Sequence, residues 1–157
     1  MDTGGYVPRR IMTEHTYDVG ADTLWACCIS YKCLAETMAS LMSYDGFPEG
    51  NLETGQSIEV QVTHFGFMPP MPWWIEVLER DDQRHVLKTS ERGGAMKSYL
   101  HTMTIQELAP DRSLLIDEVE FDAGWLSWPM QAWIRHIYKT RDKPRRRLLG
   151  LTEQTEP

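Results

Sequence analysis

Apolar and polar positions follow several periods along the chain, and each change of period marks a change of element. Residues 10–19 form a mixed run that predicts an edge strand. Behind Asp22, which has the chemistry of an N-cap, Leu24, Trp25, Cys28 and Ile29 recur at helical spacing. Residues 31–41 predict a second short helix. Neither helix is long enough to hold alone, so both must pack on something larger. The run Asp45-Gly46-Phe47-Pro48-Glu49-Gly50 is loop chemistry.

After Gly55 the period becomes two. Ile58, Val60, Val62 and His64 share one face, and Glu59, Gln61 and Thr63 the other. Residues 65–74, rich in aromatics, Met and Pro, read as a stiffened loop, and Trp73, Ile75 and Val77 open the next strand. Residues 86–91, 96–107 and 113–122 predict three more strands. Tyr99, His101, Met103 and Ile105 face inward on one of them, and Leu115, Asp117, Val119 and Phe121 on the next. Such alternation predicts an antiparallel sheet with one wet face.

Beyond Ser127, a second candidate N-cap, Met130, Trp133, Ile134, Ile137, Tyr138 and Arg141 recur every three to four residues. They predict an amphipathic helix of about 15 residues and about 22 Å, which Pro144 breaks or kinks. The order is a strand, two short helices, a strand meander and a long last helix. Only that helix can cover the apolar face of the sheet, which makes the fold class α+β. The predicted domain spans 10–149, between tails at 1–9 and 150–157.

This order, with several local motifs, resembles the Bet v 1/START-like superfamily, also called SRPBCC or polyketide-cyclase-like proteins. The motifs are Ala21-Asp22-Thr23-Leu24-Trp25 opening the first helix, Gly55 before the meander, and Ser90-Glu91-Arg92-Gly93-Gly94-Ala95-Met96. Tyr99-Leu100-His101 and Leu115-Ile116-Asp117-Glu118-Val119-Glu120-Phe121 complete the set. The resemblance implies a helix-grip fold, in which a curved antiparallel sheet wraps a long C-terminal helix. It also implies an elongated cavity for an apolar or amphipathic small molecule. Members include carriers, ligand sensors, cyclases and dehydratases, so the fold does not name the function.

Composition narrows the classes further. The chain has 157 residues, 41% hydrophobic and 25% charged, which is ordinary globular composition. Its net charge of -7 argues against a general nucleic-acid binder. Residues 135–147 nevertheless carry seven basic side chains and one acid, read as a helix that solvates one face and meets carboxylates elsewhere. Cys27, Cys28 and Cys33 form no paired zinc motif and read as packing residues in a reducing cytoplasm. No apolar run is long enough for stable membrane insertion, and the first residues do not form a signal peptide. Gly93-Gly94 is a tight turn rather than a phosphate loop, and neither a metal nor a cofactor is expected.

The candidate chemistry lies on the inward faces. His101 and Asp117 fall on adjacent strands, opposed or diagonal across one hairpin. They are either a structural polar pair or a general acid/base pair for a carbonyl or polyketide-like substrate. His64 ends a strand on the same side and reads as a hydrogen-bonded loop residue. Phe67 and Trp73 belong to a loop that is a cavity lid, a folded-over core edge or a homodimer contact. Glu91 and Tyr99 can reach the interior. Trp125, Trp128 and Trp133 accompany the last helix. Met130, Ile134 and Ile137 face the sheet, Tyr138 offers a hydroxyl, and Arg141 either meets an acidic ligand head or, the favoured expectation, forms an ion pair at the rim.

The predicted ligand wall is therefore His64, Phe67, Trp73, Ile75, Val77, Tyr99, His101, Met103, Leu115, Asp117, Val119, Phe121, Met130, Trp133, Ile134, Ile137, Tyr138 and Arg141. The expected function is binding of a small hydrophobic or amphipathic molecule. The alternative is a cyclase or dehydratase using His101 with Asp117. A third reading is an interaction module that docks through the 65–74 loop and the basic helix.

Overall fold

The computed structural model describes residues 7–151. The expected tails therefore lie largely outside the described residues. Seven strands form one antiparallel sheet: β1 (Arg9–Tyr17), β2 (Met42–Asp45), β3 (Ser57–His64), β4 (Met71–Asp81), β5 (Val86–Gly93), β6 (Met96–Ala109) and β7 (Arg112–Asp122). Their spatial order is β1-β7-β6-β5-β4-β3-β2. Two short helices, α1 (Ala21–Cys28) and α2 (Tyr31–Met38), follow β1. A 3-10 turn, Gly124–Leu126, leads into the long α3 (Ser127–Leu148).

The sheet bends because its register slips. Pairing shifts between Val77 and Glu79, between Glu91 and Gly93, and between Glu107 and Ala109. An extra residue on one strand kinks it and increases local twist. The shifts fall along the central strands β4 to β7.

Five local expectations need correction. Asp22 does not cap α1: Gly20 does, with no side-chain bond, and Asp22 accepts from His85 Nε2 at 2.9 Å. A Cβ at Gly20 would stand 2.9 Å from the Pro110 carbonyl, so the chain passes too close for a side chain there. Ser127 is the first residue of α3, and its hydroxyl accepts from the Ala123 amide at 2.8 Å. The second helix ends at Met38, and Met42–Asp45 pairs with β3 as an edge strand. Four residues are too few to show a period of two. The Pro-rich loop is shorter than its composition suggests, because β4 already begins at Met71. Pro72 is tolerated because β5 ends opposite Trp73, leaving Pro72 paired on the β3 side only.

The fifth correction concerns Pro144. α3 runs 22 residues and continues through Pro144. The loss of one backbone bond is offset by anchors on the same segment. Arg145 donates to Tyr17 Oη at 3.2 Å, and Arg146 donates to the Thr16 carbonyl at 2.7 Å and to Asp142 at 3.0 Å. The Arg146 guanidinium also lies 4.7 Å over the Tyr17 ring. The basic segment is thus not simply a solvated face, since Arg141, Arg145 and Arg146 are buried. Gly150, with φ of 71°, ends the helix, with Gly150 N–H to the Arg147 carbonyl at 3.0 Å and Leu151 N–H to that of Arg146 at 2.8 Å. Leu149 and Leu151 pack back on the core, so part of the expected C-terminal tail belongs to the domain.

Three apolar clusters make the core. The first joins α1 to the far ends of the central strands through Leu24, Trp25, Val77, Met103 and Leu115. The second joins β1, β6 and β7 to α3 through Ile11, Val119, Phe121, Ile134 and Tyr138. The third joins α2, β2 and β3 through Met38, Met42, Val60 and Val62.

Candidate functional site

Where these clusters meet, a cavity of about 410 Å³ remains between the sheet, α2 and α3. This lies within the range of about 300–1,000 Å³ typical of small-molecule sites. Twelve of the sequence-predicted residues line it: His64, Trp73, Ile75, Tyr99, His101, Met103, Met130, Trp133, Ile134, Ile137, Tyr138 and Arg141.

The remaining six do not line it. Phe67 is 80% exposed at the tip of the β3–β4 loop and points away from the cavity wall. Val77 and Leu115 have the expected inward parity, but both are sealed in the cluster that includes α1. Val119 and Phe121 are buried in the cluster formed with β1 and α3. Asp117 is also buried and reaches the cavity only through His101. Strand parity reports which face a residue occupies, and the inner face is wider than the cavity.

The pattern also missed part of the wall. Leu34 and Met38 come from α2, Met42 and Tyr44 from the unrecognised β2, and Thr89 and Met96 from the central strands. Leu34 and Met38 are four apart on α2, a legible amphipathic signal that sequence alone could not aim at this space.

The polar groups of the wall form a connected set. His101 pairs with Val119 across β6–β7, and Asp117 pairs with Met103, so the two side chains meet on a diagonal. His101 Nε2 donates to Asp117 Oδ1 at 2.7 Å. Burial alone would raise the Asp117 carboxyl. The His101 hydrogen bond and the charges of His101, Arg141 and Arg145 outweigh it and hold the carboxyl below its ordinary value. The His101 ring stands edge-on to Tyr138 at 5.4 Å, and Tyr138 Oη shares a 2.8 Å hydrogen bond with Tyr99 Oη. Burial raises both phenols well above their ordinary value, so both keep their protons.

Glu91 faces the same space from β5. It accepts from Trp73 Nε1 at 2.8 Å and from Thr89 Oγ1 at 3.0 Å, which fixes both carboxylate oxygens. Arg141 is not at an exposed rim: it is 9% exposed, lies 5.0 Å over the Tyr138 ring, and its Nε has no acceptor. His64 lines the opposite wall. Its carbonyl, not its ring, closes the turn by accepting from Phe67 and Met68, and burial lowers its imidazole pKa. Phe65, next to it, adopts φ of 56° and packs its ring 5.4 Å from Trp133. The ring contact ties the loop to α3 and offsets the strain of that backbone.

Cys28 touches the cavity, and burial raises its thiol. Cys27 is pushed up to about 12 by burial and by its contact with Cys33. Neither has the thiolate character of a nucleophile. Among the described residues no group of three His, Cys, Asp or Glu is placed to hold a metal ion. None of the described helices is long and apolar enough to cross a membrane.

No sequence-family profile and no curated protein matches the chain. Its fold, however, is shared with solved structures over almost its full length. Protein CV1439 from Chromobacterium violaceum superposes with a TM-score of 0.71 at 12% identity, covering 90% of this chain and 97% of that one. Truncated norcoclaurine synthase from Thalictrum flavum gives 0.71 at 13% identity, covering 98% and 100%. The Zhui aromatase/cyclase from Streptomyces sp. R1128 gives 0.66 at 13% identity, covering 92% and 99%. The chain has the helix-grip fold of the Bet v 1/START-like superfamily.

Proposed function

We propose that this protein binds a small hydrophobic or amphipathic molecule, lipid- or polyketide-like, in the cavity between the sheet and α3. The observation that carries the proposal is the cavity itself. About 410 Å³ is left open among Met, Trp, Leu and Ile side chains, with a few fixed polar groups converging on it. Burial of apolar ligand surface supplies the affinity, at about 25 cal/mol per Å². Glu91, Tyr99, His101 and Tyr138, held in place by Trp73, Thr89, Asp117 and one another, are fixed polar groups that orient the ligand. The site residues proposed are the lining positions, with Asp117 as the support of His101.

The test is the native mass of freshly purified protein beside its denatured mass, followed by titration with the neutral fluorophore N-phenyl-1-naphthylamine. Extra mass lost on denaturation, or saturable fluorophore binding, supports the reading. A bare mass with no fluorophore binding overturns it. A doubled mass shows a dimer and makes the exposed Phe67 loop the first surface to test as its interface.

One observation favours a catalytic version of the same site. His101 borders the cavity while the ionised Asp117 orients it from behind, an arrangement suited to moving a proton on a carbonyl substrate. Two of the proteins that share the fold are named as a synthase and an aromatase/cyclase. The check is turnover of a poly-β-keto thioester by the wild type and by His101→Gln. Turnover that survives the substitution removes His101 from the chemistry.

A further inference from the structure

From the position of Arg141 we infer that the ligand carries an acidic head, a carboxylate, and that Arg141 is the group that receives it. The inference rests on the binding role proposed above and specifies the ligand class.

Arg141 continues the inward stripe of α3, one turn beyond Ile137 and Tyr138, and it lines the cavity. Its guanidinium lies over the Tyr138 ring at 5.0 Å, and its buried Nε meets no hydrogen-bond acceptor. The charge of Asp117 is near enough to be felt by Arg141, but a buried donor without a hydrogen-bond partner is still costly.

The neighbouring carboxylates do not resolve this. Asp117 accepts from His101, Asp142 accepts from Arg146, and Glu91 accepts from Trp73 and Thr89. Among the described residues none of the three forms an ion pair with Arg141 within 4.0 Å. Arg145, one turn on, also has a buried Nε without an acceptor, but it is directed to Tyr17 Oη and does not line the cavity. The wall therefore presents a guanidinium whose buried Nε lacks an acceptor, beside apolar surface sized for a small molecule. A planar guanidinium matches a carboxylate with two parallel hydrogen bonds, and a ligand carboxylate placed there would satisfy it. The apolar body of the ligand would then lie along Met38, Met71, Trp73 and Trp133.

The test uses the full chain at about pH 7.5, where a carboxylic acid is ionised. Decanoate and decanol compete for bound N-phenyl-1-naphthylamine. An apolar cavity without a cation prefers the alcohol, because burying a carboxylate costs more than burying a hydroxyl. The expected result is displacement by decanoate at a concentration at least about tenfold lower than by decanol. Arg141→Met should invert that order, and Arg141→Lys should keep part of it. Thermal melts establish that each variant is folded.

Equal displacement by the two competitors, or a preference for decanol in the wild type, overturns the inference while the cavity still binds. A decanoate preference that persists in Arg141→Met also overturns it. If the fluorophore does not bind the wild type at all, the binding role fails and this inference falls with it. Should Arg141→Met not fold, the wild-type comparison decides alone.

Discussion

His101 and Asp117 meet on a diagonal of the β6–β7 ladder, with Nε2 donating to Oδ1 at 2.7 Å. Asp117 is buried behind His101, so its carboxylate orients the imidazole toward the cavity and has little contact with solvent. The folded protein holds this carboxyl below its ordinary value through the His101 bond and nearby cations, against the opposing effect of burial. A group whose pKa is lower folded than unfolded binds more protons when unfolded. Its stabilisation is complete above the unfolded value and is lost as pH falls through the folded one.

Asp117→Asn is therefore expected to destabilise the protein by roughly 1–3 kcal/mol near neutral pH. The gap between variant and wild type should close as pH falls below the ordinary carboxyl value of about 3.9. Urea unfolding of both proteins across the acid range measures it. A gap that widens on acidification would contradict the depressed carboxyl.

Ile134 and Trp128 test the helix stripe. Ile134 is fully buried against β1 and the sheet, while Trp128, six residues earlier, is 74% exposed. Ile134→Ala should cost about 2–5 kcal/mol, and Trp128→Ala should stay within about 0.5 kcal/mol. Chemical denaturation of the two variants separates a covering helix from a loosely docked one.

At Gly93 the backbone passes close against Trp73, and both residues line the cavity. A Cβ there would lie 2.4 Å from Trp73 Cε3 and 2.8 Å from the Pro72 carbonyl. Gly93→Ala must move the indole, the strand or both, and should cost about 1–3 kcal/mol. Because Trp73 Nε1 bonds Glu91, the near-UV circular dichroism of Trp73 should change with it. A variant with unchanged melting temperature and spectrum would show that this wall yields freely.

Four of the six tryptophans form two groups with different reporting power. Trp73 and Trp133 line the cavity, whereas Trp125 and Trp128 stand in solvent. Binding of an apolar fluorophore should excite energy transfer from the lining pair. Replacing Trp73 and Trp133 with Phe should lower that signal more than any other pair of Trp→Phe changes. Replacing Trp125 and Trp128 should leave it intact, and the reverse result would place the ligand outside the cavity.

Much of this architecture is legible in the chain because burial on one face imposes a period. Alternation along residues 58–64, 99–105 and 115–121 set each strand and its inward side, since slipping by one residue would turn every apolar side chain to water. Ile134, Ile137 and Tyr138 set the covering helix for the same reason. β2 was not legible, because Met42–Asp45 is short and owes its strand to pairing with β3. The extent of α3 was not legible either. Pro144 carries a local penalty that is met by Arg145 and Arg146 binding Tyr17 and Thr16, more than a hundred residues away.

The candidate site divides along the same line. The sequence by itself determined the inward side of His101, Asp117, Tyr99 and the α3 stripe, because periodicity is a local property of the chain. Only the tertiary structure decided which inward residues meet an open cavity and which are sealed. Val77, Leu115, Val119 and Phe121 share the parity of His101, yet α1, β1 and α3 close over them. Arg141 shows the same division: its spacing placed it on the inward stripe, but its burial over Tyr138 follows from how α3 lies on the sheet. Parity is fixed by backbone geometry one residue at a time, whereas a cavity is the space left when distant elements fail to touch.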